Sequence, residues 1–129
     1  MATESHVYDE SYLSKSDNSA AAKQFLAVEF TAENEVDPAN AAGDLVVGIL
    51  QNKPKAAEAA QIRHLGRSKA VVDGTAAIAV GDNLGTDAAG KLVKKTANND
   101  WVIARALQAS TAAGDIIDVL LTGGFYLGA

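Results

Sequence analysis

The chain has 129 residues, enough for one domain with its own core, and 48% of them are apolar, which excludes a disordered polymer. A formal charge of −5 argues against a general nucleic-acid binder, because phosphate neutralisation needs clustered Lys and Arg. The chain has no cysteine, which excludes disulfides, thiolate metal sites and a thiol nucleophile.

Alanine is the commonest residue and aromatic residues make up only 5%. Such a core buries little area per residue, so the composition favours further burial against copies of the chain or a partner. Charge is unevenly spread: residues 1–44 carry nine acids against Lys15 and Lys23, and residues 45–129 carry seven acids against nine bases. An acidic front and a mildly basic body can attract each other between subunits, although solubilising surface charge explains the same pattern. The first residues show no basic region followed by an apolar run, so no secretory signal is expected, and no apolar stretch is long enough for a membrane helix.

Residues 1–22 are polar, with apolar islands at Val7-Tyr8 and Tyr12-Leu13. Such a segment cannot bury enough surface to order itself, so it reads as a flexible N-terminal arm preceding a single β-rich domain over 23–129. The islands suit docking on another surface, which makes Val7, Tyr8, Tyr12 and Leu13 candidate contacts. Lys23 to Phe30 alternates and is rich in aromatic and branched residues, as in a strand. A polar loop follows to Gly43, and Asp44 to Leu50 is a short apolar run fitting a mostly buried strand.

Gln51 to Leu65 is open to two readings. Pro54 followed by Lys55-Ala56-Ala57-Glu58-Ala59-Ala60 forms helix readily, but the large apolar residues, Ile62 and Leu65, come only at the end. A strand over 59–65 fits as well. Further strands are expected at 68–72, 82–86, 91–95, 101–107 and 115–121, separated by turn residues every ten or so positions. The pattern indicates an all-β sandwich or barrel-like domain with at most one short helix. Gly123 to Gly128 reads as a C-terminal tail in which Phe125 and Tyr126 are two more candidate contacts. Gly-Asp recurs before strands at 43–44, 81–82 and 114–115, which is turn chemistry at irregular spacing.

Residues 85–92, GTDAAGKL, match the phosphate-loop pattern G-x-x-x-x-G-K-[ST] except at its last position. Leu92 cannot ligate magnesium, and the alternating Lys91 to Lys95 is strand-like where a helix must open. A hairpin turn at Asp87-Ala88-Ala89-Gly90 accounts for every residue. No other catalytic pattern emerges. His6 and His64 have no metal-ligand spacing, no G-x-S-x-G elbow is present, and the acids lack calcium-loop spacing. Trp101, after a polar turn, reads as a core anchor. No catalytic residue, cofactor or metal site is expected.

The ordered succession of these turns and strands resembles the capsid decoration proteins of tailed phages, also called head cement or stabilisation proteins. The residues that carry the resemblance are Ala42-Gly43-Asp44-Leu45-Val46-Val47-Gly48-Ile49-Leu50-Gln51-Asn52-Lys53-Pro54, Gly66, Ile78-Ala79-Val80-Gly81-Asp82, Asp87-Ala88-Ala89-Gly90, Ala104-Arg105-Ala106-Leu107 and Ala113 to Leu121. At Lys55-Ala56-Ala57-Glu58 the chain departs from such proteins, which often place a glycine there. The resemblance implies a module of β-clip or β-tulip type, a strand at 59–65, and neither enzymatic activity nor a cofactor. It implies a structural virion protein, made in the host bacterial cytoplasm, that sits on the capsid exterior as a homotrimer or dimer. Its partner would be the major capsid protein, whose subunits it bridges against internal DNA pressure, with no role for nucleic acid or membrane. A carbohydrate-binding or other adhesive β-module, and a structural part elsewhere on the virion such as tail or connector, are the competing readings.

Overall fold

The computed structural model describes residues 7–128. His6 and the rest of residues 1–6, part of the expected arm, lie outside the described residues. The chain forms β1 (Tyr8–Ser14), a 3-10 turn (Ala21–Lys23), β2 (Ala27–Ala32), β3 (Glu35–Pro38), β4 (Gly48–Leu50), β5 (Ala59–Val71), β6 (Asn83–Thr86), β7 (Leu92–Lys94), β8 (Trp101–Ala106) and β9 (Ile116–Tyr126). The fold is therefore all-β.

The strands pair in the order β1-β3-β2-β4-β5-β9-β8-β6-β7, and β1 also pairs with β5. That extra pairing closes a five-strand circuit, β1-β3-β2-β4-β5. On the other side, Val72 just past β5 bridges Leu92 of β7, which closes a second circuit, β5-β9-β8-β6-β7. The 13-residue β5 is the wall shared by both. Its first half pairs with β1 and β4, and its second half, Leu65 to Val71, runs antiparallel to β9 from Thr122 to Ile116.

Each circuit has its own core. Val28, Val36, Leu50, Ala60 and Ile62 fill the first, and Ile78, Leu84, Leu92, Ile103, Ile117, Val119 and Leu121 belong to the larger second cluster. Successive residues of a strand point to opposite faces. Accordingly Ala27 and Ile49 join the second cluster while their neighbours Val28 and Leu50 join the first. Covering of both faces is why 46–50 reads as a continuous apolar run and not as an alternation, while Leu45 before it is exposed.

Three expectations are corrected. Residues 8–14 of the expected arm form β1, paired with β5 from Tyr8 to Leu13 and with β3 at Leu13 and Ser14. The segment beyond it is pinned by polar groups: buried Asn18 donates from Nδ2 to Ser14 Oγ at 2.9 Å and to Asp37 Oδ1 at 3.1 Å. Backbone pairing to β3 and β5, with Tyr12 packed on the first core, holds this stretch, and composition does not reveal that. The expected strands at 59–65 and 68–72 are one strand. The C-terminal tail is the end of β9, with Phe125 opposite Val102 and Tyr126 opposite Trp101.

The double glycine at 123–124 has a packing reason: a Cβ on Gly124 would run into the Trp101 ring. Trp101 is half-buried against the second core, and its indole N–H donates to the Val46 carbonyl at 3.0 Å. The three Gly-Asp turns share one geometry. The Asp amide donates to the carbonyl three residues back, Asp44 to Ala41, Asp82 to Ala79 and Asp115 to Ala112. The glycines between have φ of 83°, 92° and 80°, which L side chains rarely adopt.

Candidate functional site

The phosphate-loop match is a hairpin tip. Asp87 Oδ1 accepts the amides of Ala89 at 2.8 Å and Lys91 at 2.9 Å, and the Asp87 amide donates to the Lys91 carbonyl at 2.8 Å. Lys91 leads into β7, not a helix, so no row of helix N-terminal amides exists to cradle phosphate.

Two carboxylate pairs are present, Glu29 of β2 with Asp44 and Asp73 with Asp87. The neighbouring Asp44 carboxyl pushes the Glu29 carboxyl up and is itself held down, and burial with the Asp73 contact pushes Asp87 up. In each pair two like charges lie close together, which favours the protonated form of one partner. Among the described residues, no group of three or more His, Cys, Asp or Glu is placed to hold a metal ion, and no helix is long and apolar enough to cross a membrane.

His64 belongs to an aromatic cluster at the mouth of the first circuit. Its Nδ1 faces the Val47 carbonyl at 2.9 Å, which can only accept, so Nδ1 carries the proton and Nε2 accepts from the Tyr12 hydroxyl at 2.8 Å. Tyr8 lies tilted on the imidazole with centroids 5.4 Å apart, and Phe30 meets Tyr12 edge-on at 5.2 Å. Tyr8 and Phe30 are each 49% exposed, so the cluster presents aromatic surface to solvent.

The candidate contacts therefore divide. Tyr8 and Tyr12 come together around His64, and Leu13 is exposed further along β1. Phe125 and Tyr126 sit at the end of β9, in the other circuit, where Tyr126 packs edge-on against Trp101 at 5.0 Å. Val7 lines a different feature, a groove beside β5 with a cavity volume of about 460 Å³.

That groove is lined by Phe25, Gln51, Arg63, Arg67, Lys69 and Asp118 along with Val7. A second hollow shares Phe25, Lys69 and Asp118 and extends past Ile116 and Gln108. Arg63 binds Asp9 of β1 with two hydrogen bonds, Nε to Oδ1 at 2.8 Å and Nη2 to Oδ2 at 3.1 Å. The guanidinium holds the Asp9 carboxyl below its usual range. Arg67 donates to Asp118 at 2.7 Å. Phe25 is held at φ 70°, an uncommon conformation for a side chain-bearing residue, with its amide donating to Leu50 and its carbonyl accepting from Val71. The groove was not anticipated from sequence, yet its signal is there: Arg63, Arg67 and Lys69 fall at period-two positions of one strand.

No protein-family model and no curated protein matches the sequence. The fold is similar to that in the crystal structure of the N base of the head fiber protein gp8.5 in bacteriophage phi29. The two superpose with a TM-score of 0.58 at 20% identity, over 91% of this chain and 95% of that one. The likeness spans nearly the whole of both chains, so it concerns the complete two-circuit fold.

Proposed function

We propose that the chain is a structural protein of a tailed-phage virion. It binds the outside of the assembled head, bridges neighbouring major capsid protein subunits and stabilises the shell against the pressure of packaged DNA. The observation that carries this reading is the end-to-end fold likeness to a phage head fiber base. The turn-and-strand residues that resemble capsid decoration proteins support it independently.

The mechanism is multivalent contact and not chemistry. Tyr8 and Leu13 on β1 and Phe125 and Tyr126 on β9 are exposed apolar groups on rigid strands of different circuits. Two separated patches let one copy touch two shell subunits. Linked weak contacts then hold far more firmly than either alone. Self-association as a trimer or dimer would multiply the contacts again.

The test uses DNA-filled heads assembled without this protein. Added protein should co-sediment with them saturably and raise the temperature at which DNA is released. The double variants Tyr8→Ser/Leu13→Ser and Phe125→Ser/Tyr126→Ser should each lower occupancy. Wild-type protein that stays in the supernatant at all head concentrations overturns the proposal.

A second reading draws on the exposed aromatic cluster of Tyr8, Tyr12, Phe30 and His64, which is suited to stacking on a sugar ring. A glycan array answers it: a saturable hit lost in Tyr8→Ala favours the carbohydrate-binding module, and a blank array removes it.

A further inference from the structure

We propose that the groove beside β5 receives the β2–β3 hairpin of a second copy of this chain, in a head-to-tail contact. This rests on the reading of the chain as a self-associating module, but it names the two surfaces that meet, and its test needs no shell.

The groove side is cationic and apolar. Arg63, Arg67 and Lys69 line it with Val7 and Phe25, and Ile116 continues it. Arg105 of β8 belongs to the same face, since it pairs with Leu120, which in turn pairs with Arg67. Against these four cations stand the carboxylates of Asp9 and Asp118, which bind Arg63 and Arg67. The face keeps an excess of positive charge around an apolar floor. Along Gly66 to Val71 β5 pairs with β9, and on its other side the Arg67 carbonyl already accepts from Arg63 Nη1 at 3.0 Å, so the proposed occupant is held by side chains.

The hairpin is the matching surface within the same chain. Residues 24–52 carry Glu29, Glu33, Glu35, Asp37 and Asp44 and no Lys or Arg at all. Five consecutive positions, Phe30 to Asn34, are exposed, so the turn between β2 and β3 presents side chains to solvent while the Leu13 amide, donating to the Asn34 carbonyl at 2.9 Å, ties it to β1. It presents an aromatic ring, Phe30, followed by Glu33 and Glu35. A ring for the apolar floor and carboxylates for the Arg67–Lys69 wall complement the groove in both respects. The contact is heterologous: one copy offers its hairpin and the next its groove. Repetition closes into a ring where the rotation permits and otherwise runs on as a filament.

The test is sedimentation of the full chain at rising concentration in low and high salt, with two charge-reversed double variants. Association should weaken at least about tenfold between 0.05 and 0.5 M salt, because the Debye length falls over that range. Arg67→Glu/Lys69→Glu and Glu33→Lys/Glu35→Lys should each be folded by circular dichroism and each remain monomeric. Mixed together, they should associate again, since each then meets an opposite charge. A wild-type chain that is monomeric at millimolar concentration overturns the proposal. So does association indifferent to salt and to both variants, or a mixture that stays monomeric. Should a reversed variant misfold, Lys69→Gln and Glu33→Gln at exposed positions give the same comparison, and unchanged association in both overturns it. Failure to bind heads with self-association intact would count against the shell-bridging reading alone.

Discussion

The Tyr12 hydroxyl donates to His64 Nε2 across 2.8 Å, joining the middle of β1 to the middle of β5 and fixing the imidazole against the Val47 carbonyl. This bond ties the N-terminal strand to the wall it closes. Tyr12→Phe keeps the ring packed on Phe30 but leaves Nε2 without its donor. It should cost about 1 kcal/mol and lower the melting temperature by a few degrees, measured by calorimetry. A melting temperature equal to wild type would mean that water replaces the hydroxyl without loss.

The Asp9–Arg63 pair carries a pH signature. Its arginine hydrogen bonds lower the Asp9 carboxyl below the ordinary 3.8, so the folded state holds the ionised form more firmly than the unfolded chain does. The stabilisation is complete above the ordinary carboxylate value and is lost as pH falls through the lowered one. Asp9→Asn should therefore be less stable than wild type by up to about 1 kcal/mol at pH 7, and the gap should narrow below pH 4. Urea denaturation at several pH values reads this directly, and a gap that widens in acid contradicts the assignment.

Glu29 behaves in the opposite sense. Its carboxyl is raised above the ordinary 4.5 by the Asp44 carboxylate, so the folded state favours the protonated form. That contribution is present below the ordinary value and is lost as pH rises through the raised one. Glu29→Gln mimics the protonated state. It should match wild type near pH 4.5 and exceed it in denaturant midpoint at pH 7.5. Asp44 is less suitable for the test, because its carboxylate also accepts the amides of Asn40 and Ala41.

Gly124→Ala should be among the most damaging small substitutions. The added methyl overlaps the Trp101 ring, which must move and release its hydrogen bond to Val46. A loss of about 2 kcal/mol with a red-shifted tryptophan emission is expected. Gly128→Ala, where a Cβ meets nothing within 4 Å, is the matched control and should leave both readings unchanged.

Much of the architecture was legible where apolar residues and turn chemistry agree. Asp87-Ala88-Ala89-Gly90 announces a hairpin tip because Asp and Gly each supply something that turn needs. Val46 to Leu50 announces burial because both its faces are covered. The arm and the tail were misread for a common reason. Tyr8 to Ser14 and Gly123 to Tyr126 are strand segments held by backbone pairing to edges far away in sequence, and their side chains stay largely exposed. Exposed strands lack the alternation that betrays half-buried ones. The groove was hidden for a different reason: its members, from Val7 to Asp118, meet only once β1, β5 and β9 lie side by side.

Because β5 is a wall of both circuits, loss of β5 takes both cores with it. The first core, five buried residues from Val28 to Ile62, is too small to persist by itself. Peeling β5 away would open it and the larger core in one event. Two modest interiors thus melt cooperatively, and amides along β5 should exchange with solvent only through global unfolding.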